Sequence, residues 1–347
     1  MFLEHIGADA RVGGLFRPYA AEGLELARVS FAAHEQYRVY LETGDCEAAP
    51  AGRLRWNDVL PAVGDWIAAR RVDPELVLIE AVLPRRTQFS RRAAGKTVVE
   101  QVIAANVDLA VVVCGLDGDF NLRRIERYLV LVRESGAEPV VVLNKADLCA
   151  AVDERVDAVT RVAPGAPMVV MSAHESVEAL RTLVRGKTVA FVGSSGVGKS
   201  TIANALLGEE LQSTAAVRTA DSRGRHTTTS RMLIPLPGGG SLIDNPGMRE
   251  LQLWATEESL AEVFPDVSGL AGRCRFADCS HTGEPACAVR EALESGDLDS
   301  SRWGSYQKLQ AELRHEARRQ DRDAMAAEKK KWKSIHKAMR RHPKYLR

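Results

Sequence analysis

Short runs of alternating apolar and polar residues fill positions 24–83, a pattern typical of β-strands with one buried face. Turn-rich pieces such as Thr43-Gly44-Asp45 separate the runs. The predicted strands are Leu24–Phe31, Gln36–Leu41, Gly52–Trp56, Gly64–Ala69 and Leu76–Val82. Five such strands predict a small all-β barrel, and the spacing is compatible with an OB-fold, an SH3-like barrel or a small sandwich.

The pattern changes beyond residue 83. Residues 83–95 carry four arginines and few apolar positions, so we interpret them as a linker that is either solvated or in contact with phosphate. From Val107 onward, apolar β-branched runs alternate with stretches of helical period, which predicts an α/β domain with a parallel sheet between helices. The predicted elements are strands Leu109–Cys114, Pro139–Leu143, Met168–Met171, Thr188–Val192 and Leu242–Ile243, and helices near Asn121–Glu134 and Val152–Ala163. No strand pattern follows Trp254, and Ala311–Arg341 is predicted as one or two charged helices.

A phosphate-binding loop is predicted between the strand Thr188–Val192 and the helical stretch that follows it. The pattern there is G-x-x-x-x-G-K-[ST], whose glycines allow backbone N–H groups to point at phosphate oxygens. Lys199 would supply charge to the terminal phosphates as a catalytic residue, and the Ser200 hydroxyl would ligate Mg²⁺. The predicted phosphate-binding residues are Gly193, Ser194, Ser195, Gly196, Val197, Gly198, Lys199, Ser200 and Thr201.

Asn144-Lys145-Ala146-Asp147 directly follows a predicted strand and indicates guanine as the base. The Asp147 carboxylate can accept from both the ring N–H and the amine of guanine, whereas adenine lacks that ring N–H. Lys145 can lie over the base, and Asn144 can tie this loop to the phosphate loop. The pair Ser172-Ala173 fits a loop whose backbone N–H meets the guanine carbonyl. Both segments are therefore predicted to bind GTP.

Asp244-Asn245-Pro246-Gly247 matches the motif D-x-x-G. Asp244 would then lie in the Mg²⁺ shell, and the Gly247 N–H would be available to the γ-phosphate. The alternative is an ordinary β-turn, since N-P-G is a common turn sequence. The polar stretch 222–229 before it is the predicted first switch. One of Thr227, Thr228 and Thr229 would complete the Mg²⁺ shell, and we assign Thr228.

The residue after the D-x-x-G glycine is Met248, where Ras-like proteins have a glutamine that orients the attacking water. Slow intrinsic hydrolysis is therefore expected. His226 in the first switch is the candidate for orienting water, with Arg223 or Arg225 as charge stabilisers. The alternative is that these basic residues only contact RNA or solvent.

The motif order along the chain is unusual, because the base-reading segments 144–147 and 172–173 precede the phosphate loop and D-x-x-G. Most GTPases have the reverse order, so the domain is predicted to be circularly permuted. Permutation keeps the sheet and the site but places the chain ends elsewhere. A γ-phosphate-dependent shift at residues 244–250 would then act directly on the C-terminal segment.

Cys274, Cys279, His281 and Cys287 follow the spacing C-x(4)-C-x-H-x(5)-C. Three thiolates and one imidazole make a closed tetrahedral Zn²⁺ site, which is structural because no position is left for water. The surrounding segment has few large apolar residues, so metal binding would supply much of its folding energy. Free buried thiols are the alternative interpretation.

Composition and charge change this picture in two ways. The 347 residues, 45% hydrophobic and 27% charged, suit a globular protein of two or three domains and exclude collagen-like or low-complexity chains. No apolar stretch approaches the length of a membrane helix, about 20 residues, and Met1–Arg11 lacks an apolar signal region. A cytoplasmic protein without a membrane partner is therefore expected.

The C-terminal segment is strongly basic. Residues 311–347 hold 13 Lys and Arg against 5 Asp and Glu, and this surplus of +8 favours RNA binding over a merely solvated helix face.

Together these motifs resemble the ribosome small subunit-dependent GTPase A family over roughly residues 20–340. The resemblance also rests on Ala104-Ala105-Asn106-Val107-Asp108, on residues 119–128 and on residues 224–229, while Asn245 departs from the small hydroxyl residue usual there. It implies a multidomain chain: an N-terminal all-β OB-fold barrel, a central α/β circularly permuted P-loop GTPase domain, and a C-terminal zinc-binding module with basic helices. We place these domains at 1–90, 91–255 and 256–347.

The resemblance further implies that GTP is hydrolysed to GDP and phosphate in late maturation of the small ribosomal subunit. Hydrolysis would be stimulated by that subunit and coupled to departure, with the barrel and the zinc module on ribosomal RNA. One structural Zn²⁺, Mg²⁺ with the nucleotide and a monomeric state are expected. The alternatives are a permuted GTPase of large-subunit assembly, an RNA-binding module whose GTP site is only a sensor, and an ATP enzyme that ignores Asp147.

Overall fold

The computed structural model describes residues 1–33, 36–56, 59–92, 100–208, 231–244 and 255–319. The chain forms two compact units, one drawn from residues 1–90 and 102–251 and the other from residues 91–101 and 252–347. The three-domain division expected from the sequence stays a prediction. Among the described residues, no helix combines the length and the apolar character needed to cross a bilayer.

The first unit begins with two short helices and a closed five-stranded barrel. These elements are α1 (Phe2–His5), α2 (Ala10–Ala20), β1 (Glu25–Ala33), β2 (Gln36–Leu41), β3 (Gly44–Pro50), α3 (Gly52–Trp56), β4 (Trp66–Arg71) and β5 (Leu76–Val82). The strand order is β1-β2-β3-β5-β4, and β4 pairs back onto β1 to close the barrel. The β3–β5 pair is parallel and the others are antiparallel. The closed Greek-key arrangement confirms the OB-fold and excludes a sandwich.

One predicted strand is wrong. Gly52–Trp56 forms helix α3, and the third strand is Gly44–Pro50, which begins within the piece assigned to a turn. Along this strand Cys46 and Ala48 point inward, and both are small residues that give little of the β-branched and aromatic signal of a strand.

The predicted linker is also wrong where it is described. Residues 88–92 form β6 (Gln88–Arg92), which with β7 (Glu100–Ala105) makes a two-stranded sheet. Arg85 donates from Nε and Nη2 to the two carboxylate oxygens of fully buried Asp65 at 2.8 and 2.7 Å. Burial raises the pKa of Asp65, and the hydrogen bonds from Arg85 oppose that rise. Arg86 is half exposed and pairs with Asp108, so both arginines hold protein carboxylates.

The predicted parallel sheet is confirmed. Its strands are β8 (Leu109–Gly115), β9 (Glu138–Asn144), β10 (Met168–Val170), β11 (Lys187–Val192), β12 (Arg231–Pro235) and β13 (Gly240–Asp244). Its helices are α4 (Leu122–Ser135), α5 (Val152–Val162), α6 (Glu178–Val184) and α7 (Lys199–Leu207). The order is β10-β9-β8-β11-β13-β12, with every pair parallel except β12–β13. Apolar β-branched residues dominate the buried strands because both faces of the sheet are covered.

The barrel and the parallel sheet share strand pairing within the first unit. Strand β12 pairs with β13 on one side and with β1 of the barrel on the other, so that Met232 lies opposite both Asp244 and Phe31. The fully buried Arg28 supports this junction, because its guanidinium donates to the Asn106 carbonyl at 3.3 Å and to the Thr188 hydroxyl at 2.9 Å. Barrel and sheet are therefore one continuous 11-stranded structure.

In the second unit, the described residues 255–319 are mainly helical. They contain α8 (Glu257–Val263), α9 (Pro265–Ala271) and α10 (Ala288–Ser295), followed by a helix over residues 300–319, which we label α11. The predicted charged helices at 311–341 are confirmed for 311–319, and the rest of that segment lies outside the described residues.

Candidate functional site

The predicted nucleotide motifs lie at one edge of the parallel sheet. Strands β9, β8, β11 and β13 run in the same direction, so the loops that follow them meet at their carboxyl ends. That edge is where open α/β sheets bind ligands. The base-reading and phosphate loops, 144–147 and 193–200, follow strands that flank β8 on its two sides.

The phosphate loop has the backbone that its glycines require. Gly193 has a φ of +147°, and a Cβ there would lie 2.4 Å from the Val113 carbonyl oxygen. Helix α7 begins at Lys199, so the loop carries the positive end of its dipole. The Lys199 ammonium donates to the Gly193 carbonyl at 2.7 Å and to the Ser194 carbonyl, which places it over the loop.

Asn144 connects three loops at this edge. Its side chain is buried, its Nδ2 donates to the Val197 carbonyl at 2.9 Å, and its Oδ1 accepts from the Ala173 N–H at 2.9 Å. The contact between the base-reading loop and the phosphate loop that the sequence predicted is therefore present. Asp147 is exposed in a 3₁₀ turn at this edge. Ser172 is buried, and its hydroxyl has no hydrogen-bond partner among the described residues.

The loop after β8 also belongs to this site, which the sequence did not predict. Residues 119–128 supported only the family resemblance. Asp117 Oδ2 accepts from the Lys145 ammonium at 2.6 Å, and this hydrogen bond lowers the pKa of Asp117. Arg124 donates to Asp119 Oδ1 at 2.5 Å and to the Ser194 hydroxyl. Charged residues that directly follow a buried strand of the predicted parallel sheet were the signal that could have identified them.

The predicted Mg²⁺ ligands are described only in part. Ser200 lies in the first turn of α7 and Asp244 ends β13, and the strands that precede them, β11 and β13, are parallel neighbours. A hydroxyl in the helix that follows β11 and a carboxylate at the end of β13 are oxygen donors of the kind Mg²⁺ prefers. Thr228, His226 and Gly247 lie outside the described residues, as do the neighbouring switch residues Arg223, Arg225, Thr227, Thr229 and Met248.

In the second unit, the predicted metal ligands converge. The ligand atoms of Cys274, Cys279, His281 and Cys287 all lie within 4.8 Å of one another. His281 Nδ1 lies 3.6 Å from Cys274 Sγ and 3.5 Å from Cys287 Sγ, and those two sulfurs are 4.0 Å apart. Tetrahedral Zn²⁺ with its usual bond lengths needs about 3.6 Å between nitrogen and sulfur and about 3.8 Å between sulfurs. The cluster therefore fits a zinc ion, and none of these cysteines forms a disulfide.

Residues at or near helix ends form the cluster of three cysteines and one histidine. Cys274 follows α9 and Cys287 is the N-cap of α10. His281 adopts a left-handed φ of +60°, and its ring meets the ring of Trp303 edge-on, with 5.6 Å between centroids. A metal here would join short helices that bury little apolar surface by themselves.

Comparison with known proteins identifies the family of this arrangement. The RsgA GTPase family model matches residues 82–254. The chain is 48% identical to the small ribosomal subunit biogenesis GTPase RsgA of Opitutus terrae, over 98% of this chain and 97% of that protein. The chain belongs to the RsgA GTPase family. As a member of that family it is a GTP-hydrolysing enzyme.

Solved structures of similar proteins agree with the RsgA assignment. The sequence of YjeQ from Thermotoga maritima is 28% identical to this chain. Its crystal structure matches this fold with a TM-score of 0.64, over 84% of this chain and 98% of that chain. YloQ, whose crystal structure is described as that of a circularly permuted GTPase, is 26% identical in sequence to this chain. That structure matches with a TM-score of 0.62, over 84% of this chain and 96% of the YloQ chain. The permuted motif order predicted from the sequence is therefore that of the RsgA fold.

Proposed function

We propose that this GTPase acts in late maturation of the small ribosomal subunit, binds its ribosomal RNA, and leaves when the subunit stimulates hydrolysis. The name of the Opitutus terrae relative supports a role in the biogenesis of the small ribosomal subunit. The observation that carries the guanine-nucleotide part is the set of contacts made by Asn144, which holds the base-reading loop against the phosphate loop at Val197.

The proposed roles in the nucleotide site follow from the positions of the loops at the carboxyl edge of the sheet. The guanine base is read by Asp147, with Lys145 over the ring and the Ala173 N–H at the guanine carbonyl. The phosphates lie in the loop that begins at Gly193, where Lys199 turns from the loop carbonyls to the terminal phosphates. The proposed GTP-binding residues are Asn144, Lys145, Ala146, Asp147, Ser172, Ala173, Gly193, Ser194, Ser195, Gly196, Val197, Gly198, Lys199, Ser200, Thr201 and Gly247.

For hydrolysis, we assign the Lys199 ammonium and the N-terminus of α7 to the charge that develops on the phosphates. Ser200, Asp244 and Thr228 would hold Mg²⁺, which neutralises phosphate oxygens when bound. His226 would orient the attacking water, since Met248 has no hydrogen-bonding group for it.

The remaining parts of the proposal concern RNA and cellular location. Cys274, Cys279, His281 and Cys287 would hold one structural Zn²⁺ that folds the C-terminal unit. The OB-fold barrel and the basic C-terminal residues would contact ribosomal RNA, the first through a fold that often binds nucleic acid and the second through phosphate charge. We propose a cytoplasmic monomer that uses GTP and GDP.

The proposal is tested by measuring phosphate release from GTP with the zinc-loaded full chain, alone and with purified small or large ribosomal subunits at one salt concentration. Stimulation by small subunits only, absent in Lys199→Ala, is the expected result. Equal stimulation by large subunits would assign the enzyme to the other subunit. Binding of GTP and RNA without faster hydrolysis on either subunit would show an RNA-binding sensor and overturn the proposal.

A further inference from the structure

The loop between β8 and α4, residues 116–121, contacts both halves of the nucleotide site. It starts beside the base-reading loop, where the Leu116 N–H donates to the Asn144 carbonyl at 2.8 Å. It ends at Asn121, whose side chain caps α4 by accepting from the Arg124 N–H at 3.2 Å. In between, the Phe120 ring lies 4.4 Å from the Arg155 guanidinium of α5. The loop is thus held at both ends and in its middle.

On the base side, the loop fixes Lys145. Asp117 Oδ2 accepts from the Lys145 ammonium at 2.6 Å, and Asp117 Oδ1 accepts from the Asp119 N–H at 3.2 Å. Gly115 makes room for this carboxylate, because a Cβ there would lie 2.6 Å from Asp117 Oδ1. Lys145 itself has a left-handed φ of +64°, a strained conformation for a residue with a side chain. The ion pair therefore fixes the direction of a side chain whose backbone is already constrained.

On the phosphate side, the loop and the first turn of α4 hold Ser194. Arg124 Nη1 donates both to Asp119 Oδ1 at 2.5 Å and to the Ser194 hydroxyl, 70 positions further along the chain. The hydrogen bond that Arg124 donates to Asp119 raises the pKa of Arg124, which keeps its charge in place. The carbonyl of Ser194 is one of the two that accept from Lys199. Arg124 and Lys199 therefore both contact Ser194, Arg124 at its hydroxyl and Lys199 at its carbonyl.

We propose that Asp117 and Arg124 are positioning residues for guanine nucleotide, Asp117 by aligning Lys145 at the base and Arg124 by holding the phosphate loop at Ser194. Asp119 orients Arg124 and also fixes the turn that presents Asp117, so one loop sets both halves of the site. This inference rests on the proposed function, since it assigns the base and phosphates to those two loops.

The test uses the zinc-loaded full chain and fluorescent GDP. Dissociation rates are measured for Asp117→Asn, Arg124→Ala and Arg124→Lys, together with thermal unfolding with and without GDP. Loss of one charge-assisted hydrogen bond should speed GDP dissociation by about 10- to 100-fold in Asp117→Asn and Arg124→Ala. Arg124→Lys should recover part of the loss because it keeps the charge. The matched controls are Asp157→Asn and Arg161→Ala, two exposed residues of α5.

Ligand-dependent stability separates positioning from a merely structural role. In Arg124→Ala the melting temperature without GDP should match the control, while the rise produced by GDP should shrink. A lower melting temperature without GDP, combined with an unchanged rise, would show a structural residue and overturn the inference.

A double-mutant cycle with Ser194→Ala tests the route from Arg124 to the phosphate loop. If Arg124 acts through the Ser194 hydroxyl, the double variant should release GDP no faster than the faster single variant. Additive effects would overturn that route. A wild-type protein that does not bind GDP would overturn both this inference and the proposed function, whereas tight wild-type binding with control-like variants would overturn this inference alone.

Discussion

Asn144 donates from Nδ2 to the carbonyl oxygen of Val197 at 2.9 Å, across 53 positions of sequence. This single amide joins the end of β9 to the phosphate loop that follows β11. Gly198 leaves the space for it, because a Cβ at Gly198 would lie 2.2 Å from Asn144 Nδ2. The residue that ends the base-reading strand therefore also sets the position of the phosphate loop.

Replacing Asn144 by alanine should weaken GDP binding by about 10- to 100-fold, because the buried Val197 carbonyl and the partly buried Ala173 N–H lose their partner. Equilibrium titration with fluorescent GDP measures the change. Asn204→Ala, at an exposed position of α7, is the matched control. Affinity equal to that control would mean that the bridge does not support the nucleotide site.

Replacing Asp147 by asparagine should weaken the binding of GTP and allow the binding of xanthosine triphosphate. Asparagine replaces one acceptor oxygen by an amide NH₂ group, which can donate to the second carbonyl of xanthine but cannot accept from the guanine amine. Competition between the two triphosphates gives the preference of each protein. An unchanged preference for GTP would remove Asp147 from the base site.

Replacing Arg85 by methionine should destabilise the first unit by about 3–5 kcal/mol, because it leaves the fully buried Asp65 carboxylate without its charged partner. The exposed Arg53, paired with Glu80, is the control, and Arg53→Met should cost less than about 1 kcal/mol. Denaturant unfolding measures both. Adding Asp65→Asn to Arg85→Met should restore part of the stability, and a double variant no better than Arg85→Met would contradict this account.

Removing one zinc ligand should unfold the C-terminal unit. In Cys279→Ser the bound zinc should fall from one ion per chain to near zero, and residues 255–319 should become sensitive to protease, because the metal joins short helices that have little core. Cys149→Ser, which lies outside the cluster, should keep its zinc. A strong chelator should reproduce the Cys279→Ser digestion pattern in the wild type. A protease-resistant, zinc-free protein would show that the thiols are not a folding site.

Acid should weaken the pairing of Asp266 with Arg302. Burial of Asp266 opposes its ionisation, but the hydrogen bonds from Arg302, at 2.5 and 2.8 Å, hold the pKa of Asp266 below its usual value. A depressed pKa contributes stability that is complete above the unfolded pKa of about 3.9 and is lost as pH falls through the folded pKa. Asp266→Asn should therefore be less stable than wild type at neutral pH, and the difference should close in acid. Glu291→Gln on α10 is the control, and a difference independent of pH would contradict the assignment.

The sequence by itself determined the features that depend on local spacing. The pattern from Gly193 to Ser200 specifies its own strand, loop and helix start, because glycine conformations and helix dipoles act over a few residues. The order of the motifs at 144–147 and 193–200 alone indicated the permutation. The grouping of Cys274, Cys279, His281 and Cys287 was also readable, since a candidate metal site needs only the right donors within a short stretch of chain.

The tertiary structure decided which distant side chains meet. Arg85 looked like part of a charged linker, and only the fold showed the buried carboxylate of Asp65 beside it. Arg124 reaches Ser194 because β8 lies next to β11, an order that no local pattern contains. The strand Gly44–Pro50 likewise depends on its neighbours β2 and β5, since its small residues carry a weak strand signal. Contacts between distant segments depend on strand order and register, and these are set by burial of the whole sheet rather than by any short stretch of chain.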